Sequence, residues 1–148
     1  MTYQELEKMF SSEEGLTELL NSYQQKYFTK LDNIANLFQV GGMQDRGVLD
    51  NTLDELTGIY MDLNTVYLMS ITEKENRELD FYIAKKIQVE NEGNKFVSTS
   101  AEKEASASVA NYRRVRNIFE AKVQATEKAI STCQSRMKSM TKEYEASK

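Results

Sequence analysis

The sequence predicts an all-α fold, a long helical hairpin or coiled-coil-like bundle. Three observations predict it. There is no proline in 148 residues and only six glycines. The composition leans to Glu, Lys, Leu and Ala, whereas sandwiches and barrels need frequent turn residues. The last third carries one long apolar seam. From Ala105, alternating steps of about three and four pick out Ala105, Val109, Tyr112, Arg116, Phe119, Val123, Thr126, Ile130, Cys133, Met137, Met140 and Tyr144. Only Arg116 and Thr126 are polar. Such a 3.5-residue repeat keeps one narrow stripe facing a partner helix. A helix from Ser100 to Ala146 would be roughly 70 Å long. That exceeds the width of a compact domain this size, so a homo-oligomer is expected. Its contacts would be Val109, Tyr112, Arg116, Phe119, Val123, Thr126, Ile130, Met137 and Met140, with Arg116 and Thr126 fixing register.

The elements before the seam follow in order. Residues 1–40 read as an N-terminal helical segment. Tyr3 to Phe10 forms two turns with Leu6, Met9 and Phe10 on one side. Ser11 with Glu14 makes a capping signature, since each side chain satisfies the other's backbone amide. Leu16, Leu19, Leu20, Tyr23, Tyr27, Leu31, Ile34, Leu37 and Phe38 then recur at helical spacing. Gly41-Gly42 closes that helix, because glycine takes the left-handed conformation of a C-terminal cap. Residues 41–50 are the glycine-containing hinge, and 51–148 the main hairpin. Thr52 with Glu55 caps its first helix, whose stripe is Leu53, Leu56, Tyr60, Leu63 and Tyr67. Thr72 to Glu78 is polar on every side, which a helix sustains by bridging solvent or by salt pairs. The apolar signal resumes at Leu79, Phe81, Tyr82 and Ile83 and fades after Ile87. Near 87–98 either a small β-hairpin or an irregular loop is expected. Thr99 with Glu102 caps the last helix, the longest of three.

Composition narrows the function. With no histidine in the chain, the zinc, di-iron and Cys–His or Ser–His constellations are absent. Gly41-Gly42 lacks the Lys and Ser/Thr of a phosphate loop. Glu73, Glu75, Glu78 and Asp80 read as a solvated face. No enzyme, cofactor or metal is expected. The mean hydropathy of −0.61 and the acidic start predict no membrane partner and a cytoplasmic, reduced setting, a host cytoplasm if the chain is phage-encoded. The lone Cys133 on the seam reads as a buried thiol. Net charge is −4, yet residues 1–92 carry 17 acids and 8 bases while residues 93–148 carry 6 acids and 11 bases. The two ends thus differ in sign, which points to an anionic partner for the basic end or to association through opposite ends.

Two groups carry the candidate chemistry. Arg114, Lys128 and Lys142 lie opposite the seam, two heptads apart, as a stripe that would neutralise phosphates. Arg113, Lys122 and Arg136 flank the seam, where they either pair with acids of a neighbouring helix or join that stripe. The second group is Phe81 and Tyr82 with Arg77, Lys85 and Lys86. Single-stranded nucleic acid is held by aromatics that stack on bases beside cations that track the backbone. Adjacent aromatics point about 100° apart on a helix, so the alternative is a pair spanning core and boundary.

Leu79-Asp80-Phe81-Tyr82, then Asn91 to Asn94, then Lys95-Phe96-Val97 and Ala101-Glu102-Lys103-Glu104 resemble, in order and kind, the UvsY recombination mediators of T-even phages. The resemblance covers about residues 53–140. It implies a small helical homo-oligomer that binds single-stranded DNA. It also implies contacts with a single-strand-binding protein and a RecA-like recombinase, which it helps to load. The chain departs from that pattern before Leu79, where the family has several bases and this sequence reads Glu75-Asn76-Arg77-Glu78. The alternative is a structural or adaptor coiled coil, such as an assembly or inhibitor protein, that binds protein and no nucleic acid.

Overall fold

The structure, a computed structural model that describes residues 1–148, is all-α with no strand. In chain order it contains α1 (Tyr3–Met9), α2 (Glu13–Tyr23), a π-helical turn (Gln24–Phe28), α3 (Thr29–Gln39), α4 (Arg46–Asn91), α5 (Ser98–Ser108) and α6 (Ala110–Ala146). α2, the π turn and α3 form one continuous rod. No helix is long and apolar enough to cross a membrane.

α4 and α6 pack antiparallel along their length. At one end Arg46 Nη1 donates to Thr141 Oγ1 at 2.7 Å. Midway the Tyr60 hydroxyl donates to Glu127 at 3.1 Å, and at the far end the Arg77 guanidinium lies 4.6 Å from the centre of the Tyr112 ring. The α2–α3 rod fills the groove between them. Asn111 Nδ2 donates to Glu13 at 3.0 Å, and Tyr23 and Phe28 meet Phe119 edge-on at 5.3 and 5.8 Å. The π turn makes this possible. Its extra residue per turn lets Tyr23 and Phe28, five positions apart, both face Phe119. One core of 20 residues runs from Leu6 to Cys133.

Residues 1–40 pack as a layer of that core, and the 41–50 stretch is tied into it. Met43 is fully buried, and α4 already begins at Arg46, with the Asp45 carboxylate accepting from the Val48 N–H. The α6 seam is also filled from within the chain. Val109, Tyr112, Phe119, Val123 and Thr126 are buried, and Ile130, Met137 and Met140 pack partly buried on the same core. They are therefore not free to assemble copies. Contrary to expectation the last helix is not the longest, since α4 has 46 residues against 37 in α6. At about 69 Å, α4 is long enough to cover it. Its polar stretch stays helical through the salt pairs Lys74–Glu78 at 2.8 Å and Arg77–Glu73 at 3.8 Å.

Both polar seam residues hydrogen-bond within their own helix. Thr126 is fully buried, but its hydroxyl donates to the Lys122 carbonyl of its own helix at 2.7 Å. Arg116 is half-buried and donates to the Asn117 side-chain oxygen at 2.9 Å, while Val115 takes the core position beside it.

The caps shift by a few residues. Ser12, not Ser11, caps α2, and Val97, not Thr99, precedes α5. Thr52 is buried inside α4 instead of capping it. The loop alternative holds near 87–98, and the β-hairpin does not form. α4 runs through Asn91 and ends at Gly93 with φ +75°, where the Asn94 N–H reaches the Val89 carbonyl at 3.1 Å. Gly41, with φ +76°, closes α3 in the same manner, as expected.

The rod is pinned to α4 by a polar junction. Asp62 accepts from the Tyr23 hydroxyl at 3.1 Å and from the Tyr27 hydroxyl, with Lys26 Nζ at 3.5 Å. Burial raises the pKa of both phenols above the usual value, and Asp62 adds to it. Above about pH 10 the unfolded chain loses protons that the folded chain keeps, so stability must fall as pH rises; below it the contribution is complete. The urea midpoint should hold from neutrality to about pH 9 and then decline, less steeply in Tyr23→Phe. Equal alkaline slopes in the two proteins would contradict this account of the junction.

Candidate nucleic-acid interface

Because α6 buries its seam, its opposite face points to solvent. Arg114, Lys128 and Lys142 are all exposed there, and none has a carboxylate within 4 Å, unlike the six cations that form ion pairs. At about 100° per residue they fall within an ~80° arc opposite Tyr112, Phe119 and Val123, spaced by ~21 Å along the helix. A stripe of that pitch suits a repeating polyanion better than one compact ion.

Small residues lie between these cations, beside the exposed Asn117 and Gln124. Ala121 and Ala125 are exposed, as are Ser131, Ser135 and Ser139, whose hydroxyls form no hydrogen bond within the chain. The three serines sit four residues apart, so their hydroxyls line one side of the helix between Lys128 and Lys142. Hydroxyls and cations together are the usual donors to phosphate oxygens. A shallow groove of about 600 Å³ opens here, between Gln44 and α6, and Lys128 and Arg136 line it. A second depression of about 440 Å³ lies beside Arg114. The serine ladder escaped the sequence reading. Its signal in the sequence is serine at a strict four-residue step beside lysines.

The flanking cations turn inward. Lys122 sits 3.9 Å from Asp32 and over the Phe28 ring at 5.0 Å. Arg136 donates to the Met43 carbonyl at 2.9 Å, fastening the 40–45 loop to α6. Arg113 donates to the Ser106 carbonyl at 2.7 Å, bracing the break at Val109 between α5 and α6. Only Lys122 finds an acid; the other two satisfy backbone oxygens.

The second group does not join the first. Arg77 is structural: its Nη2 donates to the Phe10 carbonyl at 2.8 Å, the same oxygen that accepts from the Tyr112 hydroxyl at 2.7 Å. Its Nε is buried and unbonded, 3.8 Å from Glu73. Tyr82 is half-buried, edge-on to Phe96 at 5.6 Å, and Lys86 lies over the same Phe96 ring at 5.8 Å. Lys85 pairs with Glu104 at 3.3 Å. Tyr82 and Lys85 thus hold the α4 end to α5 and its loop, while Lys86, over the Phe96 ring, and Phe81 stay exposed.

No protein-family model matches the chain, and neither the curated proteins nor the solved structures yield a match. The class defined by fold and surface is therefore an all-α bundle with one unpaired basic helix face.

The two kinds of arginine should separate in stability. Arg77→Ala removes a charged donor to a buried carbonyl and should cost about 2 kcal/mol. Arg114→Ala touches nothing buried and should stay within about 0.5 kcal/mol of the parent. Urea unfolding checks both, and equal midpoints for the two variants would remove the structural role given to Arg77.

Proposed function

We propose that this chain is a non-catalytic accessory protein of DNA recombination that binds single-stranded DNA along the outer face of α6. The observation that carries this reading is the row Arg114, Lys128 and Lys142, exposed and without acid partners. Cations left unpaired beside free hydroxyls, on a chain whose net charge is −4, have no evident use in holding the fold. The recombination setting, and partners such as a single-strand-binding protein and a RecA-like recombinase, rest on the resemblance of about residues 53–140 to the UvsY mediators.

An adaptor that binds only protein is the second reading. The seam it would have used is buried, so its support is now the outer face of α4. There Met61, Leu68, Leu79, Ile83 and Ile87 remain exposed.

Fluorescence anisotropy with labelled oligo-dT separates the readings. Three phosphate contacts predict that log affinity falls against log salt with a slope of about −2. Arg114→Ala/Lys128→Ala/Lys142→Ala should weaken binding by about tenfold or more at low salt while the urea midpoint holds. No binding by the parent protein at low salt ends the nucleic-acid reading and leaves the adaptor.

A further inference from the structure

α4 is amphipathic on two sides. One buries Leu49, Leu56, Ile59, Leu63 and Val66; the other carries Met61, Leu68, Leu79, Ile83 and Ile87, each between 45 and 67% exposed. On a helix these five fall within an arc of about 100° and span ~39 Å. The stripe is in two parts, Met61 and Leu68 before the polar stretch and Leu79, Ile83 and Ile87 after it, and apolar runs left open to solvent mark an interaction surface. Its charge narrows the occupant. Asp54, Glu75, Asp80 and Glu90 are exposed along it with no base within 4 Å, and Lys86 is the one cation in the arc. Two copies meeting α4 to α4 would set acid against acid.

The complement stands on the same molecule. The outer face of α6 has large cations at Arg114, Lys128 and Lys142, ~42 Å from end to end, with Ala121, Ala125 and Ser135 between them. Apolar side chains meet small and uncharged polar residues, acids meet a face with three bases and Glu143, and the lengths agree. Within one chain both faces stay exposed, so they do not satisfy each other. We propose that the outer face of α4 in one copy docks on the outer face of α6 in a second copy. The contact is heterologous, so each pair leaves one face of each kind open and further copies add head to tail. Two helix faces ~40 Å long and ~10 Å wide bury less than the roughly 800 Å² per partner of a standard stable interface. Association is therefore weak, concentration-dependent and sensitive to salt. The same three cations hold single-stranded DNA in the function proposed above, and, resting on that reading, DNA releases the assembly.

Sedimentation velocity on two charge-reversed proteins tests the contact. Glu75→Lys/Asp80→Lys has two basic faces, and Lys128→Glu/Lys142→Glu has two acidic ones. Wild type should grow in mass with concentration at low salt and not at moderate salt. Each variant alone should dissociate about tenfold more readily, and mixing the two should restore association. A wild type that stays monomeric, variants that associate as wild type does, or a mixture that stays monomeric would each overturn the proposal. Circular dichroism verifies that both variants are folded. Oligo-dT binding keeps the two readings apart. The Glu75/Asp80 variant should retain it and the Lys128/Lys142 variant should lose it. Failure of wild type to bind oligo-dT removes the nucleic-acid site but leaves the mixing result standing.

Discussion

The α6 seam needs a cover, and α4 with the α2–α3 rod supplies it. Fully burying an aliphatic or aromatic side chain is worth about 1.5–3 kcal/mol. Val109, Val115, Phe119 and Cys133 are each no more than 2% exposed. A helix carrying such a stripe has no stable existence alone, so its cover decides the architecture. Phe119 is the meeting point, touched edge-on by Tyr23 and Phe28 from the rod. The π turn, the Tyr23–Asp62 bond and the Arg77–Phe10–Tyr112 knot all keep that three-way contact in register. Where the rod ends, the cover ends. Beyond Leu79, α4 has only α5 beside it, and its other side is bare.

Burying one stripe of α6 also sorts the charges. Cations that flank the seam are drawn to inward acceptors: Lys122 to Asp32, Arg136 to Met43, Arg113 to Ser106. Those opposite it form no ion pair within the chain. The basic outer face of α6 is a consequence of the packing, since the rod and α4 occupy the other sides. The acidic residues of the first 92 lie mainly on the rod and on α4. One molecule therefore presents two long faces of opposite sign that cannot meet each other.

Much of this was legible in the residues. The seam, the apolar stripe of the rod, the glycine end of α3 and the exposed trio on α6 all follow from helical periodicity, which reports local geometry directly. What periodicity cannot report is which stripe covers which. Val109, Phe119 and Met140 read equally well as contacts to another copy, and only the length of α4, hidden by its polar stretch from Thr72 to Glu78, made an internal cover available. Arg77 looked like a DNA contact because its carbonyl acceptor, Phe10, is 67 residues away in sequence. The caps slipped because Ser11 and Ser12 are neighbours of equal chemistry, and because Asp45, capping without the usual Glu, lacked the paired signature. The serine ladder was visible but had no meaning until the face it occupies was known to be open.

Cys133 offers the most direct measure of whether the seam is covered from within. It is fully buried, and burial raises its thiol above the ordinary ionisation value. Its reaction with a thiol reagent, followed across a wide dilution series, reports the cover itself. An internal cover predicts slow labelling at a rate independent of protein concentration, rising only with urea. Labelling that accelerates on dilution would mean that another copy shields the seam, and would contradict the account.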